Sequence, residues 1–169
     1  MPQGPKLRVR PLETPFLVVL VEPEIPPNTG AIARTCAATG SPLHLVGRLG
    51  FSIDEHAVRR AGLDYWNLVE IHRHESFSAF EESNRSGRIH FFSGGAPRSY
   101  LEADFKPGDA LVFGRESVGL PEALLAGRDR VWAIPTLAPV RSLNLSNAVG
   151  IVLYEALRQN QALNDTFLD

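Results

Sequence analysis

The chain has 169 residues and a mass of 18.6 kDa, a size typical of one domain. Hydrophobic residues make up 44% and charged residues 21%, an ordinary globular mixture that excludes a wholly disordered chain. Seventeen basic and nineteen acidic side chains give a net charge of -2, which argues against a general polyanion-binding protein but allows a local basic patch.

Cysteine, histidine and the apolar runs restrict the protein class further. Cys36 is the only cysteine, so an internal disulfide and a multi-cysteine zinc site are excluded. The five histidines show no metal-binding spacing, and we expect no bound metal. No apolar run approaches the roughly 20 residues of a membrane-spanning helix, and the N-terminus lacks a signal-peptide core. We therefore expect a cytoplasmic protein without membrane contact.

Apolar runs that alternate with amphipathic segments predict the secondary structure. After the first strand and a proline-rich break, Asn28 or Thr29 can cap a helix that Gly40 ends. In chain order the predicted strands are 16–21, 43–46, 68–71, 89–92, 110–113 and 131–134, and the predicted helices are 31–39, 54–62, 75–84, 120–125 and 145–157. This alternation predicts an α/β fold with a mainly parallel sheet and helices on both faces.

The chain divides into one domain with two short ends. Residues 1–15 carry four prolines and three basic residues with little apolar periodicity, and we expect a flexible N-terminal arm there. Residues 16–160 show no internal repeat or linker, so we expect a single domain over that range. Residues 161–169 follow the last predicted helix as a C-terminal tail.

Three polar, glycine-containing loops follow predicted strands, at residues 22–30, 113–121 and 134–147. In a parallel sheet such loops meet at the carboxyl edge, where ligands bind beside helix N-termini. None of them carries the G-x-G-x-x-G of dinucleotide-binding folds or the G-x-x-x-x-G-K-[ST] of phosphate-binding loops. Glycine loops also serve as plain turns, so spacing alone leaves open whether the three loops form one site.

The loops carry three long motifs in order: Asn28-Thr-Gly-Ala-Ile-Ala-Arg34, Phe113-Gly-Arg-Glu-Ser-Val-Gly-Leu-Pro121 and Arg141-Ser-Leu-Asn-Leu-Ser-Asn-Ala148. With these motifs the chain resembles the SpoU branch of the SPOUT class of RNA methyltransferases. The stretches Glu22-Pro-Glu-Ile-Pro-Pro27 and Arg59-Arg-Ala-Gly-Leu-Asp-Tyr65 are similar to the small tRNA 2′-O-methyltransferases that act on the wobble nucleotide, whether cytidine or uridine. The resemblance runs from about Phe16 to Gln159.

The resemblance implies a fold feature and a cofactor. Proteins of this class have a deep trefoil knot in the last third of the chain, which holds S-adenosylmethionine in a bent conformation. In this sequence the knot would involve residues 110–121 and the chain from residue 131 into the last helix. The cofactor-binding residues implied by the resemblance are Phe92, Gly114, Gly119, Ile134, Ser142 and Asn144.

The resemblance also implies roles in methyl transfer to a ribose 2′-hydroxyl. In the similar enzymes the residue matching Arg34 lies at this step. A guanidinium stays protonated, so it is better suited to hold the target phosphate and stabilise a developing alkoxide than to act as the base. Asn28, Glu116 and Asn144 would complete the catalytic set by ordering the loops and positioning Arg34 or the ribose. Each also has a structural interpretation, as a helix cap or as the partner of an arginine.

The implied partners are tRNA and a second copy of the chain. The residues expected to contact RNA are Arg34, Arg59, Arg60, Arg141 and Tyr154. Members of the class dimerise through helices near the knot, so Tyr154 on the last helix would reach the partner's site; a solvated helix face is the alternative. Two rival hypotheses are a catalytically silent RNA-binding protein with this fold and a nucleotide-dependent enzyme of ordinary doubly wound topology.

The distribution of charge predicts a small RNA contact. Residues 1–100 hold eleven basic and ten acidic side chains, whereas residues 101–169 hold six basic and nine acidic ones. We therefore expect a basic strip in the N-terminal part, formed by Lys6, Arg8, Arg10, Arg34, Arg48, Arg59 and Arg60. A modest number of phosphate contacts predicts tRNA binding that weakens with salt.

Overall fold

The computed structural model describes residues 4–53, 56, 60, 65–84 and 87–169. Its elements in chain order are β1 (Leu7–Val9), β2 (Leu17–Val21), α1 (Pro26–Thr39), β3 (Leu43–Val46), β4 (Ile71–His74), α2 (Phe77–Ser83), β5 (Ile89–Phe92), β6 (Ala110–Phe113), α3 (Glu122–Leu125), β7 (Val131–Trp132), α4 (Leu145–Gln159) and β8 (Thr166–Leu168). Two short 3-10 turns, Trp66–Leu68 and Tyr100–Glu102, lie between them.

A six-stranded parallel sheet forms the centre of the domain, with the strand order β4-β3-β2-β6-β5-β7. β2 and β6 lie side by side in its middle, with Leu17 opposite Ala110 and Leu20 opposite Phe113. Because all six strands run in the same direction, their carboxyl ends share one edge of the sheet. The predicted mainly parallel α/β architecture is confirmed, whereas the trefoil knot stays a prediction.

Helices cover both faces of the sheet. α1 and α4 pack on one face, in a cluster that includes Val18 and Leu111. α2 and α3 pack on the other face, where Phe80 and Leu124 contact the cluster that includes Val19. Successive strand residues point to opposite faces, so the uninterrupted apolar run of β2 supplies both layers of the core.

α1 begins earlier than predicted. Its first two residues are Pro26 and Pro27, and Asn28 therefore lies in the first turn rather than capping the helix. Proline suits this position because the N–H it lacks would have no partner inside the helix. The residue before the helix, Ile25, makes no side-chain cap. Gly40 ends the helix in the left-handed region, as predicted, with φ of 70°.

Two strands also differ from their predicted positions. The strand predicted at 68–71 lies at Ile71–His74, because Trp66–Leu68 turns as a 3-10 helix before pairing with β3 begins. β7 ends at Trp132 rather than at residue 134, because Ala133 bridges to Ser99 instead of continuing beside β5. In the first case the N–H of Leu68 bonds to the carbonyl of Tyr65 within the turn, and in the second the N–H of Ala133 bonds to the carbonyl of Arg98.

The remaining predicted helices are found with small shifts. α2 and α3 are shorter than predicted by one to two residues at their ends, and α4 runs two residues further. Of the helix predicted at 54–62, only His56 and Arg60 are described, and both are helical. The rest of that prediction lies outside the described residues. None of the helices in the described ranges is long and apolar enough to cross a membrane.

The two ends of the chain pair with each other. β1 and β8 form an antiparallel ribbon, so the residues expected to be a flexible arm contain a strand. Arg8 pairs with Asp169, and Arg10 pairs with Asp165. These two arginines of the predicted basic strip therefore face acidic partners from the C-terminal tail.

Three histidines stack between β3 and β4. The ring centroid of His44 lies 4.6 Å from that of His72 and 5.2 Å from that of His74, and His44 Nδ1 is 2.9 Å from His74 Nε2. Burial, followed by the charges of His72 and His74, lowers the pKa of His44 from 6.5 to about 3. His44 is therefore neutral in the folded protein at pH 7. Within the described part of the chain, no group of three or more His, Cys, Asp or Glu side chains is placed to hold a metal.

Acidification is expected to destabilise the protein through His44. The unfolded chain protonates this residue near pH 6.5 and the folded protein only near pH 3, so its contribution to stability is lost as the pH falls through that window. Between pH 7.5 and pH 4.5 the free energy of unfolding should fall by on the order of 2 kcal/mol from this group. Urea unfolding of the wild type and of His44→Asn at both pH values measures it. An equally steep loss in the variant would contradict this assignment.

Candidate active site

A cavity of about 620 Å³ lies at the carboxyl edge of the sheet, where the loops after β2, β5, β6 and β7 meet. Its walls come from all three polar loops singled out in the sequence, together with the turn Ser93-Gly94-Gly95 after β5. This volume lies in the usual range for sites that bind small molecules and cofactors. The three loops therefore form one site, which their spacing alone left open.

Most of the residues predicted for the site face this cavity. Its lining includes Asn28, Phe92, Gly114, Glu116, Gly119, Ile134, Arg141, Ser142 and Asn144. All six residues implied for cofactor binding are in this set. Arg34, Arg60 and Tyr154 are outside the lining and are exposed on the surface. Arg59 lies outside the described residues.

Glu116 holds the loop after β6 against the start of α1. One carboxylate oxygen accepts the backbone N–H of Glu24 at 2.8 Å, and the other accepts the N–H of Ile25 at 3.0 Å and the side-chain amide of Asn28 at 3.3 Å. The N–H groups at a helix start have no partner within the helix, and the helix dipole favours negative charge there. The helix has no side-chain cap, and Glu116 instead accepts, from a different loop, the N–H groups of the two residues that precede it.

Asn28 extends this contact to the third motif. Its side-chain oxygen accepts a hydrogen bond from the amide of Asn144 at 3.0 Å. The oxygen of Asn144 in turn accepts from the backbone N–H of Ser146 at 2.9 Å and so caps α4. A continuous chain of side-chain hydrogen bonds therefore runs from Glu116 through Asn28 to Asn144. It joins one residue from each of the three motifs.

Two further contacts, which the sequence does not predict, join the same loops. The carboxylate of Glu24 accepts the hydroxyl of Ser117 at 2.9 Å and the N–H of Ser117 at 3.0 Å. These hydrogen bonds lower the pKa of Glu24 below its usual value. Arg115 forms an ion pair with Glu22. The sequence feature that could have indicated these contacts is the position of Glu22 and Glu24, two acidic residues in a proline-rich loop directly after a buried strand.

Gly114 and Gly119 are required for different reasons. A methyl group on Gly114 would lie 2.2 Å from both the Gly119 carbonyl carbon and the Leu120 nitrogen, so only glycine permits this approach of the backbone. An added methyl on Gly119, which is also implied for cofactor binding, would meet no protein atom within 4 Å. Its φ of 72° is the constraint instead, because the turn needs a left-handed residue.

The lining residues limit the chemistry that the site can perform. Among the described residues that line it there is no His, Cys, Lys, Asp or Tyr, and their one carboxylate, Glu116, uses both oxygens to hold backbone and side-chain amides. This set does not provide a nucleophile with an adjacent base, and it does not provide the several free ligands of a metal centre. The described site is instead suited to bind and orient a ligand of mixed polar and apolar character.

Arg34 lies outside the cavity on the same helix as Asn28. The two are six residues apart, which is about 9 Å along a helix axis. The guanidinium carbon of Arg34 is 4.7 Å from the ring centroid of Tyr65. Arg34 is therefore exposed, outside the lining of the cavity, with its guanidinium against the ring of Tyr65.

Known proteins share this arrangement of motifs and fold. Residues 15–154 match the SpoU rRNA Methylase family. The chain belongs to this family. It is 42% identical over 144 residues to the tRNA (cytidine(34)-2′-O)-methyltransferase of Escherichia coli K12, which covers 84% of this chain and 92% of that protein. It is 46% identical over 155 residues to the enzyme of the same name from an Acidovorax species, covering 88% and 94%.

Solved structures agree with this family assignment. One, from work on 2-OH methylation of C/U34 on tRNA, superposes with a TM-score of 0.83 at 50% identity and covers 86% of this chain and 96% of that one. An AdoMet-bound rRNA methyltransferase from Sinorhizobium meliloti superposes with a TM-score of 0.79 at 28% identity, covering 89% of this chain and 58% of that one. The family match and the solved structures therefore agree on the fold of this SpoU methylase.

Proposed function

We propose that this SpoU methylase transfers a methyl group from S-adenosylmethionine to the ribose 2′-oxygen of the wobble nucleotide of tRNA, cytidine or uridine 34. Relatives that match along most of their length are named for this reaction. The observation that carries the proposal is the hydrogen-bonded chain from Glu116 through Asn28 to Asn144, which joins the three family motifs around one cavity. A tRNA substrate and a single free cysteine fit a cytoplasmic enzyme.

The cavity fits S-adenosylmethionine in size and in lining. Phe92 and Ile134 supply apolar surface for an adenine ring, and Gly114, Gly119, Ser142 and Asn144 bring backbone and short polar side chains to the same space. Backbone-rich contact of this kind suits the polar edges of the adenine and the methionine end of the cofactor. When bound, the cofactor supplies a methyl group on a sulfonium, a good leaving group. The trefoil knot implied by the family would hold these loops in place.

The residues of this chain then have to orient the ribose hydroxyl and stabilise the charge that it develops. Arg34 stays protonated and offers five N–H donors, so it can hold the target phosphate and stabilise an alkoxide but cannot accept the proton. Glu116 is engaged at the start of α1 and acts on loop geometry. Asn28 and Asn144 keep the loop beside the reacting ribose in one position.

The RNA-binding surface is narrower than the charge count alone predicts. Arg8 and Arg10 are paired with acidic residues of the C-terminal tail, whereas Lys6, Arg34, Arg48 and Arg60 of the predicted strip are exposed. Arg141 lines the cavity and is also exposed. A few phosphate contacts from these arginines, with Arg59 and Tyr154 from the predicted set, give a tRNA affinity that falls as salt rises.

A homodimer fits the exposed face of α4. Asn147, Ile151, Tyr154 and Arg158 recur at helical spacing and are all exposed, whereas the opposite face of α4 is buried in the core. The two middle residues of this exposed stripe are large and apolar, and Ile151 is 38% and Tyr154 45% exposed. Contiguous apolar surface of this kind marks interaction sites. A second copy packed on this stripe would bring Tyr154 near the partner's cavity.

The function is tested with purified protein, labelled S-adenosylmethionine and a tRNA carrying cytidine or uridine at position 34. The label should appear at the 2′-oxygen of nucleotide 34 and should be absent from a matched tRNA with a 2′-deoxyribose there. Arg34→Lys should lower kcat by at least about tenfold without changing cofactor affinity, because lysine lacks the planar fork. Normal cofactor binding with no methylated ribose would support the silent RNA-binding alternative instead. Near-normal turnover by Arg34→Lys would contradict the role of the guanidinium.

The dimer is tested by sedimentation. Wild-type protein should sediment at about twice 18.6 kDa, and Ile151→Glu should sediment as a monomer because it places a charge in the apolar stripe. Leu101→Glu is the matched control, since Leu101 is 61% exposed but lies outside α4. A monomeric wild type, or an Ile151→Glu variant that still dimerises, would reject this surface as the interface.

A further inference from the structure

Tyr65 presents its ring to the one family-motif arginine that lies outside the cavity. The guanidinium carbon of Arg34 is 4.7 Å from the centroid of this ring. Tyr65 is half-buried and directly precedes the turn Trp66–Leu68, where its carbonyl accepts the N–H of Leu68 at 2.9 Å. Trp66 and Val69 pack against the main core. The ring is therefore tied to the body of the domain and is not a free surface side chain.

Stacking on an aromatic face restricts an arginine without using its hydrogen-bond donors. An exposed guanidinium otherwise samples many rotamers. If it has to be fixed in one of them during the reaction, the lost conformational entropy raises the barrier and lowers the rate. The interaction with a ring acts through the flat face of the guanidinium. The five N–H groups point outward in its plane and remain available for a phosphate or an alkoxide.

An acidic partner would restrict Arg34 in a less useful way. A carboxylate would occupy two of its donors and offset its charge, and both are needed toward an anionic ligand. Within the described ranges, no carboxylate forms an ion pair with Arg34, whereas Arg115, Arg88 and Arg128 all do so with acidic residues. In the described part of the chain the guanidinium of Arg34 therefore contacts an aromatic ring and no carboxylate.

We propose that Tyr65 is a positioning residue for methyl transfer, which holds the guanidinium of Arg34 in the orientation that meets the target nucleotide. The inference rests on the proposed function, because it assigns Tyr65 a role through Arg34 in that reaction. It predicts that the aromatic ring, and not the phenol hydroxyl, carries the effect. It also predicts that the effect disappears when Arg34 is absent.

The test compares Tyr65→Phe, Tyr65→Met, Arg34→Ala and the double variant Arg34→Ala/Tyr65→Met in steady-state methylation of tRNA at saturating S-adenosylmethionine. Methionine keeps the apolar bulk of the side chain but has no aromatic face. Tyr65→Phe should stay close to wild-type kcat, and Tyr65→Met should lose about two- to fivefold, the range of an exposed cation–π contact. The cofactor Kd and the melting temperature should change little in both.

Each outcome separates this inference from the proposed function. Wild-type kcat in Tyr65→Met overturns the inference while leaving the function in place. An equal further loss from Tyr65→Met in the Arg34→Ala background shows that Tyr65 does not act through Arg34, which also overturns it. A loss in Tyr65→Phe as large as in Tyr65→Met assigns the effect to the hydroxyl and contradicts the stacking argument. A wild-type protein that binds cofactor but leaves nucleotide 34 unmethylated overturns the function, and this inference with it.

Discussion

The carboxylate of Glu116 is the contact on which the site depends. Two prolines open α1 and bring no N–H groups, and the residue before them, Ile25, has no polar side chain. Glu116, in the loop after β6, accepts the N–H groups of the two residues before the helix and at the same time binds the side chain of Asn28. Asn28 in turn holds Asn144, the cap of α4. Two helix starts and three loops are therefore fixed by one chain of hydrogen bonds, and the cavity is the space that they enclose.

This arrangement explains how a cavity whose described lining offers no free base can serve methyl transfer. The reaction asks the protein to orient two ligands and to stabilise charge, and both tasks depend on loops that do not move relative to one another. The polar residues inside the cavity hold the loops, whereas Arg34 stands outside it against Tyr65.

Much of the fold could be read from local pattern. The apolar runs of β2, β3, β5 and β6 predicted those strands, because a strand that is buried on both faces is apolar at every position. The apolar stripe of α4 predicted that helix, because a helix with one buried face repeats apolar residues every three to four positions. The three motifs predicted which residues would share a cavity. Sequence could not predict the partners of Glu24 and Arg115 or the pairing of the two chain ends, because these contacts join residues far apart in the chain. The role of Gly119 depends on a backbone angle, which composition does not encode.

The central claim, that the chain from Glu116 to Asn144 acts as one unit, is tested most directly by a double-mutant cycle on cofactor affinity. Glu116→Gln, Asn144→Ala and the double variant are compared with the wild type by calorimetric titration with S-adenosylmethionine. We predict a coupling free energy of about 1 kcal/mol or more, because both changes break the same chain through Asn28. Effects that add to within about 0.3–0.5 kcal/mol would show that the two residues act independently and would contradict the account.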